Sequence, residues 1–446
     1  MPVDPVRDAA IDVLLRVFEK GMYLDRSVDR TLRRRGAALS VRGKRFLTQL
    51  SYGTVRHRLL CDFILQKHLH QPLDKLPLPI LVILRMGVFQ SLFCHQVTFP
   101  AMVHTSVDLA KKRGHPGTAR VVNAVLNRAP QTLDEVPLPD PAANRIKYLS
   151  VRYSLPKWMV RNWSETFGPE EAETIAVASN GQAPCTARVN TRILSRETLL
   201  ANLEGLGHPV AAHPDIPEAF TFTDGHVPIR SKAFQEGLFF VQDPASMLAP
   251  HLLDATGGKS VLDLCAAPGG KATHLAALVN ETTPVIAMDT HFGRMRSIVE
   301  NYERLTLDNV SPITGDGTRP PFQPETFERV LVDAPCTGLG TLRRHPDLKW
   351  RVDPDAPERL AAEQCALLRS GLAVCKNGGV VVYSVCTFTQ EETEEVIRQV
   401  LGDGNATLED GPEWLNRWKI SRGQYRILPK PDQLDGYFLT RLRKGS

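Results

Sequence analysis

Two cysteines follow strand-like apolar runs: Cys336 in Asp333-Ala334-Pro335-Cys336-Thr337-Gly338, after 329–332, and Cys386 in Tyr383-Ser384-Val385-Cys386-Thr387, after 379–383. If these runs are adjacent parallel strands ending at one edge, Asp333, Cys336 and Cys386 surround one cleft. Two thiols and a carboxylate beside a methyl donor suit one chemistry well. Carbon 5 of cytosine is a poor nucleophile, but a thiolate adding at carbon 6 turns the ring into an enamine that attacks a sulfonium methyl. A carboxyl group such as Asp333 at ring N3 favours the addition; a base then takes the carbon 5 proton and the thiol leaves. One cysteine at a strand end is more often packing than chemistry, and two at neighbouring ends reverse that. The residues alone leave open which thiol attacks.

A donor site is legible upstream. The run 260–264 enters Cys265-Ala266-Ala267-Pro268-Gly269-Gly270-Lys271, and a helix follows. Adjacent glycines let backbone approach a ligand, and a helix N-terminus offers free N–H groups. The loop is neither GxGxxG nor GxxxxGK[ST], which disfavours a nicotinamide dinucleotide and a phosphate-binding loop. Asp289 ends the next strand, where a carboxylate accepts from ribose hydroxyls. Gly315-Asp316 follows the third strand, placed for the amino edge of adenine. An adenosine bearing an amino-acid carboxylate and no phosphate fits this set, and S-adenosyl-L-methionine is such a ligand.

These positions require a sheet with strands at 260–264, 284–288, 310–313, 329–332 and 379–383, and helices between them at 272–279, 294–305 and 357–373. Such alternation predicts a mainly parallel, Rossmann-like α/β domain over 236–446. Residues 5–130 carry apolar positions at helical spacing and predict five or six helices, an all-α domain over 1–135. The stretch 79–93 reads as a buried helix. Pro130, Pro137, Pro139 and Pro141 mark 129–144 as a linker. A small α+β module, with helix 170–178, strand 185–190 and helix 195–206, completes a middle region over 136–235.

The net charge of +5 conceals an asymmetry: residues 1–130 hold 21 Lys/Arg against 9 Asp/Glu, so the remainder is acidic. A basic first domain points to a polyanion. Candidate phosphate contacts are Arg33-Arg34-Arg35, Arg42 with Lys44 and Arg45, and Lys111-Lys112-Arg113. The eight cysteines form no CxxC pair, so neither structural zinc nor another metal is expected. No apolar run is long enough for a bilayer, and the first residues lack a secretory pattern. A cytoplasmic monomer is expected.

The segments DLCAAPGGKAT, LVDAPCTGLGTLRRHPDLKW and VVYSVCTFTQEETEE resemble the Sun/Fmu/NOL1/NOP2 family of RNA cytosine-5 methyltransferases, as do VQDPASMLAP and DGYFLTRLRK. RVNTRILSRE is similar to the family's small RRM-like module, and SYGTVR with RVVNAVLNRA resembles the NusB fold. The three together resemble the bacterial 16S rRNA cytosine-5 methyltransferases over nearly the whole chain. The resemblance implies 16S rRNA as partner, S-adenosyl-L-methionine held by Cys265–Lys271, Asp289 and Asp316, and Asp333 on cofactor or base. It implies Cys386 as nucleophile and Cys336 as the thiol that assists product release. Two departures, Ala272 in the glycine loop and Val385 before Cys386, remove no group that the chemistry requires. Other readings are methylation of tRNA or another rRNA site, a non-catalytic RNA-binding factor, and DNA methylation with Cys336 as nucleophile.

Overall fold

The computed structural model describes residues 3–431 and 433–445. The chain forms two compact units, one of Met1–Asn180 with Leu342–Arg351, the other of Gly181–Thr341 with Val352–Ser446.

Seven α-helices open the first unit: Pro5–Phe18, Leu24–Arg35, Val41–Arg56, Arg58–His68, Leu78–Phe93, Phe99–Arg113 and Pro116–Leu126. That exceeds the expected number because His57 breaks one apolar stretch into two helices. Asp4 caps the first helix, accepting from the Val6 and Arg7 amides at 2.9 Å, and Ser40 caps the third. Leu78–Phe93 is buried through nearly all its length, and its Arg85 is neutralised by Asp62 through bonds of 2.6 and 2.8 Å. The run 129–144 is not a free linker: Val136 belongs to the helical core, with Leu133 and Leu138 packed on it. Apolar side chains between the prolines outweigh the stiffness that suggested a spacer.

Two of the expected phosphate clusters are partly engaged within this unit. Arg35, Lys112 and Arg113 converge on buried Asp8, and Arg35 and Arg113 also reach Asp12. Burial opposes the charge on Asp8, but Lys112 and Arg113 outweigh it and hold the carboxyl below its usual range. Arg34, Arg42 and Arg45 remain exposed.

Leu342–Arg351, from the LRRHPDLKW stretch, belongs to this first unit. Trp350 Nε1 donates to Val55 O at 2.8 Å, and Asp347 accepts from Leu24 N at 3.2 Å. Lys349 is buried, donates to Asn180 Oδ1 at 2.7 Å, and is pushed well down by that burial.

The second unit begins with β1 (Cys185–Val189), β2 (Val210–Ala212), β3 (Ala219–Phe222) and β4 (Phe239–Val241), in sheet order β2-β3-β1-β4. With helices Arg196–Gly205 and Lys232–Gln235 this makes the β-α-β-β-α-β order of a ferredoxin-like module. Side chains alternate along β1: Ala187 and Val189 join Phe220, Phe222 and Phe239 in the module's core, while Arg188 points the other way. Arg188 donates to Gln242 Oε1 at 2.7 Å and to Thr273 Oγ1 at 2.8 Å, so this part of the face packs on the helix after the glycine loop.

The larger sheet contains β5 (Val261–Asp263), β6 (Val285–Asp289), β7 (Val310–Thr314), β8 (Phe327–Asp333) and β9 (Cys375–Val385), then β10 (Ala406–Leu408), β11 (Lys419–Ser421), β12 (Gln424–Ile427) and β13 (Tyr437–Lys444). The order is β11-β12-β13-β9-β8-β5-β6-β7, with β10 also on β13. The five strands β7-β6-β5-β8-β9 are parallel, as expected. The last four are antiparallel additions beyond β9, absent from the sequence-based expectation. Strand order reverses between β5 and β8, which opens a crevice at their carboxyl ends. No helix among the described residues is long and apolar enough to cross a membrane.

Candidate active site

The glycine loop is stitched to its neighbours by backbone bonds: Leu264 N to Leu331 O at 2.9 Å, Ala266 N to Met288 O at 2.7 Å, and Gly269 N to Ala266 O at 2.7 Å. Gly269 has φ +101, and a Cβ there would sit 3.2 Å from Ile298 Cα, so the turn needs glycine. The helix Gly270–Leu278 then starts with its N-terminus at the crevice. Asp289 accepts from Ala267 N at 3.2 Å and His291 N at 2.9 Å, which fixes an acid beside the loop. Asp316 is exposed and turned onto Thr318, accepting from its amide at 2.9 Å and hydroxyl at 2.8 Å; the amide bond is the main cause of its lowered pKa. The preceding residue donates its amide to Asp289, Gly315 N to Asp289 O at 3.1 Å. Burial pushes the Cys265 thiol well up, with Asp263 reinforcing it.

Lys271, Asp333, Cys336 and Cys386 are brought together. Lys271 Nζ donates to Asp333 Oδ2 at 2.7 Å and to the Tyr437 hydroxyl at 2.9 Å, while Ser384 Oγ donates to Asp333 Oδ1 at 2.5 Å. Burial works against the Lys271 ammonium, but Asp333 and then Tyr437 more than offset it and raise its pKa. The sulfurs of Cys336 and Cys386 are 3.3 Å apart. The bond to Cys386, then burial, push the Cys336 thiol well above its ordinary value.

The two thiol loops are joined closely. Gly340 N donates to Cys386 O at 3.0 Å and Gly436 N to Gly340 O at 2.9 Å. A Cβ on Gly340 would lie 2.0 Å from Gly436 O, an approach that only glycine permits. Ser384, Tyr437 and Glu392, a buried acid below the loops, escaped the sequence reading. Tyr437 lay within a segment quoted only for its resemblance, and the run of acids around Glu392 gave no sign of which one turns inward.

One histidine–carboxylate cluster occurs among the described residues: Glu218 with His251 Nε2 at 2.8 Å and His274 Nε2 at 2.7 Å. These are hydrogen-bond separations. Burial outweighs the nearby Glu218 and pushes the His274 imidazole down to about 4.

A five-stranded parallel sheet with a glycine loop, a strand-end acid and paired thiols, preceded by helical and ferredoxin-like parts, defines a multidomain Rossmann-like methyltransferase. The family model described as "16S rRNA methyltransferase RsmB/F" matches residues 250–443, the NusB family model 4–131, and a ferredoxin-like domain of RsmF/B-like methyltransferases 155–230. The chain is 32% identical to the probable ribosomal RNA small subunit methyltransferase B of Bacillus subtilis (strain 168), covering 98% of each. It is 30% identical to ribosomal RNA small subunit methyltransferase B of Vibrio vulnificus (strain YJ016), covering 98% of this chain and 99% of that one. The crystal structure of PH0851 superposes with a TM-score of 0.82 at 26% identity, over 99% of both chains. The chain belongs to the RsmB/F family of 16S rRNA methyltransferases and is an enzyme of that class.

Proposed function

We propose that this enzyme methylates carbon 5 of a cytosine in 16S rRNA from S-adenosyl-L-methionine, through a covalent adduct between Cys386 and carbon 6. The observation that carries this reading is the 3.3 Å pair of sulfurs beside Asp333, itself oriented by Lys271 and Ser384. The loop suits the cofactor: backbone can approach at Gly269 and Gly270, Asp289 suits ribose hydroxyls, and Asp316 would turn from Thr318 to meet the adenine amino edge. Lys271, the cation of that loop, is committed to Asp333, which favours a ligand without phosphate. When bound, S-adenosyl-L-methionine supplies an electrophilic methyl group.

The residues then divide the work. Cys386 attacks carbon 6. Asp333 hydrogen-bonds ring N3 as the ring gains there the proton that the Cys386 thiol gives up. A base takes the carbon 5 proton, N3 returns its proton and the carbon–sulfur bond breaks; Cys336, whose thiol pKa is raised by its surroundings, lies beside the departing sulfur and gives it a hydrogen bond. Residues 1–135 and the 136–235 region position RNA, whose cytosine must be splayed out to reach the thiols, and 236–446 carry the chemistry. Incubation with labelled S-adenosyl-L-methionine and protein-free 16S rRNA, followed by nucleoside analysis, tests this. 5-Methylcytidine is expected, and label in any other nucleoside contradicts the reading.

A further inference from the structure

We propose that Glu392 is a positioning residue for the thiol pair: its buried carboxylate fixes the residues that directly follow Cys336 and Cys386 and so sets the spacing of the two sulfurs. The inference rests on the reading that Cys386 attacks and Cys336 assists release.

Glu392 lies in an acidic run with Glu391, Glu394 and Glu395. Glu394 pairs with Arg426 and Glu395 with Arg398. Glu392 differs: it is fully buried and its hydrogen-bond partners are neutral donors. Its Oε1 accepts from Thr337 N at 2.8 Å and Gln364 Nε2 at 3.1 Å. Its Oε2 accepts from Thr337 Oγ1 at 2.5 Å, Thr389 Oγ1 at 2.8 Å and Thr387 Oγ1 at 3.3 Å. Thr337 follows Cys336 and Thr387 follows Cys386, and their hydroxyls meet at 3.0 Å.

The clamp is closed from other sides as well. Gln364, on helix Ala356–Val374, donates to Pro335 O at 2.9 Å with the same nitrogen that serves Glu392, which holds the residue before Cys336. The Tyr383 hydroxyl donates to Glu392 O at 2.7 Å, which ties the acid to β9, the strand that ends at Val385. Burial pushes the Glu392 carboxyl up, with the Thr337 bonds opposing it. A buried carboxylate is a costly way to join two loops when apolar residues of similar volume would pack there. What it supplies is acceptor capacity: two oxygens reach donors from both loops at once. Sulfur spacing is therefore fixed one residue away on each side.

The test uses the full-length protein. Glu392→Ala is expected to lower kcat about a hundredfold, the scale of a small misplacement of reacting groups, with the Kd for S-adenosyl-L-methionine changed by less than about twofold. Oxidation by diamide, in which the two thiols give up two electrons and two protons to the reagent and form a Cys336–Cys386 disulfide, reports sulfur proximity without RNA or methyl donor. It should slow at least about tenfold in Glu392→Ala. Glu392→Gln keeps one acceptor oxygen for Thr337 N and Gln364, and the threonine hydroxyls can turn to accept its amide protons. It should stay within about fivefold of wild type in both assays. Wild-type kcat or oxidation rate in Glu392→Ala, or Glu392→Gln as impaired as Glu392→Ala, overturns the proposal. If Glu392→Ala does not fold, Thr337→Val carries the oxidation assay, where slowing supports the proposal and an unchanged rate overturns it. If wild type transfers no methyl to 16S rRNA, the substrate reading fails while the oxidation comparison still decides what Glu392 does.

Discussion

Lys271 and Asp333 meet at 2.7 Å and join the start of the helix after β5 to the end of β8. The same ammonium reaches Tyr437 at the start of β13, so three segments distant in sequence share one buried charge. Lys271→Met leaves Asp333 with Ser384 as its donor in a largely buried setting. Stability should fall by about 3 kcal/mol and kcat about a hundredfold. Tyr437→Phe removes one neutral hydroxyl bond and should cost about 1 kcal/mol, with less than a tenfold loss of turnover. Denaturation midpoints and initial rates check both, and equal effects from the two substitutions would contradict the ranking.

Asp289 orders the glycine loop through Ala267 N and His291 N, and in the proposed function it also accepts from the ribose. Asp289→Ala should raise the Kd for S-adenosyl-L-methionine about 10- to 100-fold, the worth of hydrogen bonds to a charged group, and leave kcat at saturation nearly unchanged. Calorimetric titration measures the first and saturation kinetics the second. An unchanged Kd removes Asp289 from the cofactor site.

Asp263 predicts a pH dependence of stability. Burial, reinforced by Asp333 and opposed by Lys271, pushes its carboxyl up to about 8. An unfolded aspartate titrates near ~3.9. Between these values the folded chain holds a proton that the unfolded chain releases, so this contribution is complete below about pH 4 and is lost as pH rises toward 8. Asp263→Asn cannot titrate, so its melting temperature relative to wild type should rise between about pH 5 and pH 9. A constant difference across that range would show that Asp263 is not protonated in the fold.

The sequence carried the parallel half of the sheet well, because apolar runs such as 260–264 and 284–288 are bounded by loops with their own turn chemistry. It did not carry β10 to β13. Ala406–Leu408 and Lys419–Ser421 are too short to show a period; the first pairs with β13 at the far end of the chain, and the second with β12, itself four residues long. The residues of the glycine loop and both thiols were legible as motifs. Their supports were not, since Tyr437 reaches Lys271 across 166 positions and Glu392 gathers donors from three elements. Lys112 and Arg113 read as a basic face because nothing in their own helix announces that Asp8, more than 100 residues earlier, neutralises them.

The central claim is that Cys386, and not Cys336, forms the bond to the base. 16S rRNA transcribed with 5-fluorocytidine tests it, because fluorine at carbon 5 blocks proton removal and strands the enzyme on the methylated ring. With S-adenosyl-L-methionine present, wild type and Cys336→Ala should form a denaturation-resistant RNA–protein complex whose cross-linked peptide contains Cys386, and Cys386→Ala should form none. A complex that persists in Cys386→Ala and disappears in Cys336→Ala would contradict the account and exchange the roles of the two thiols.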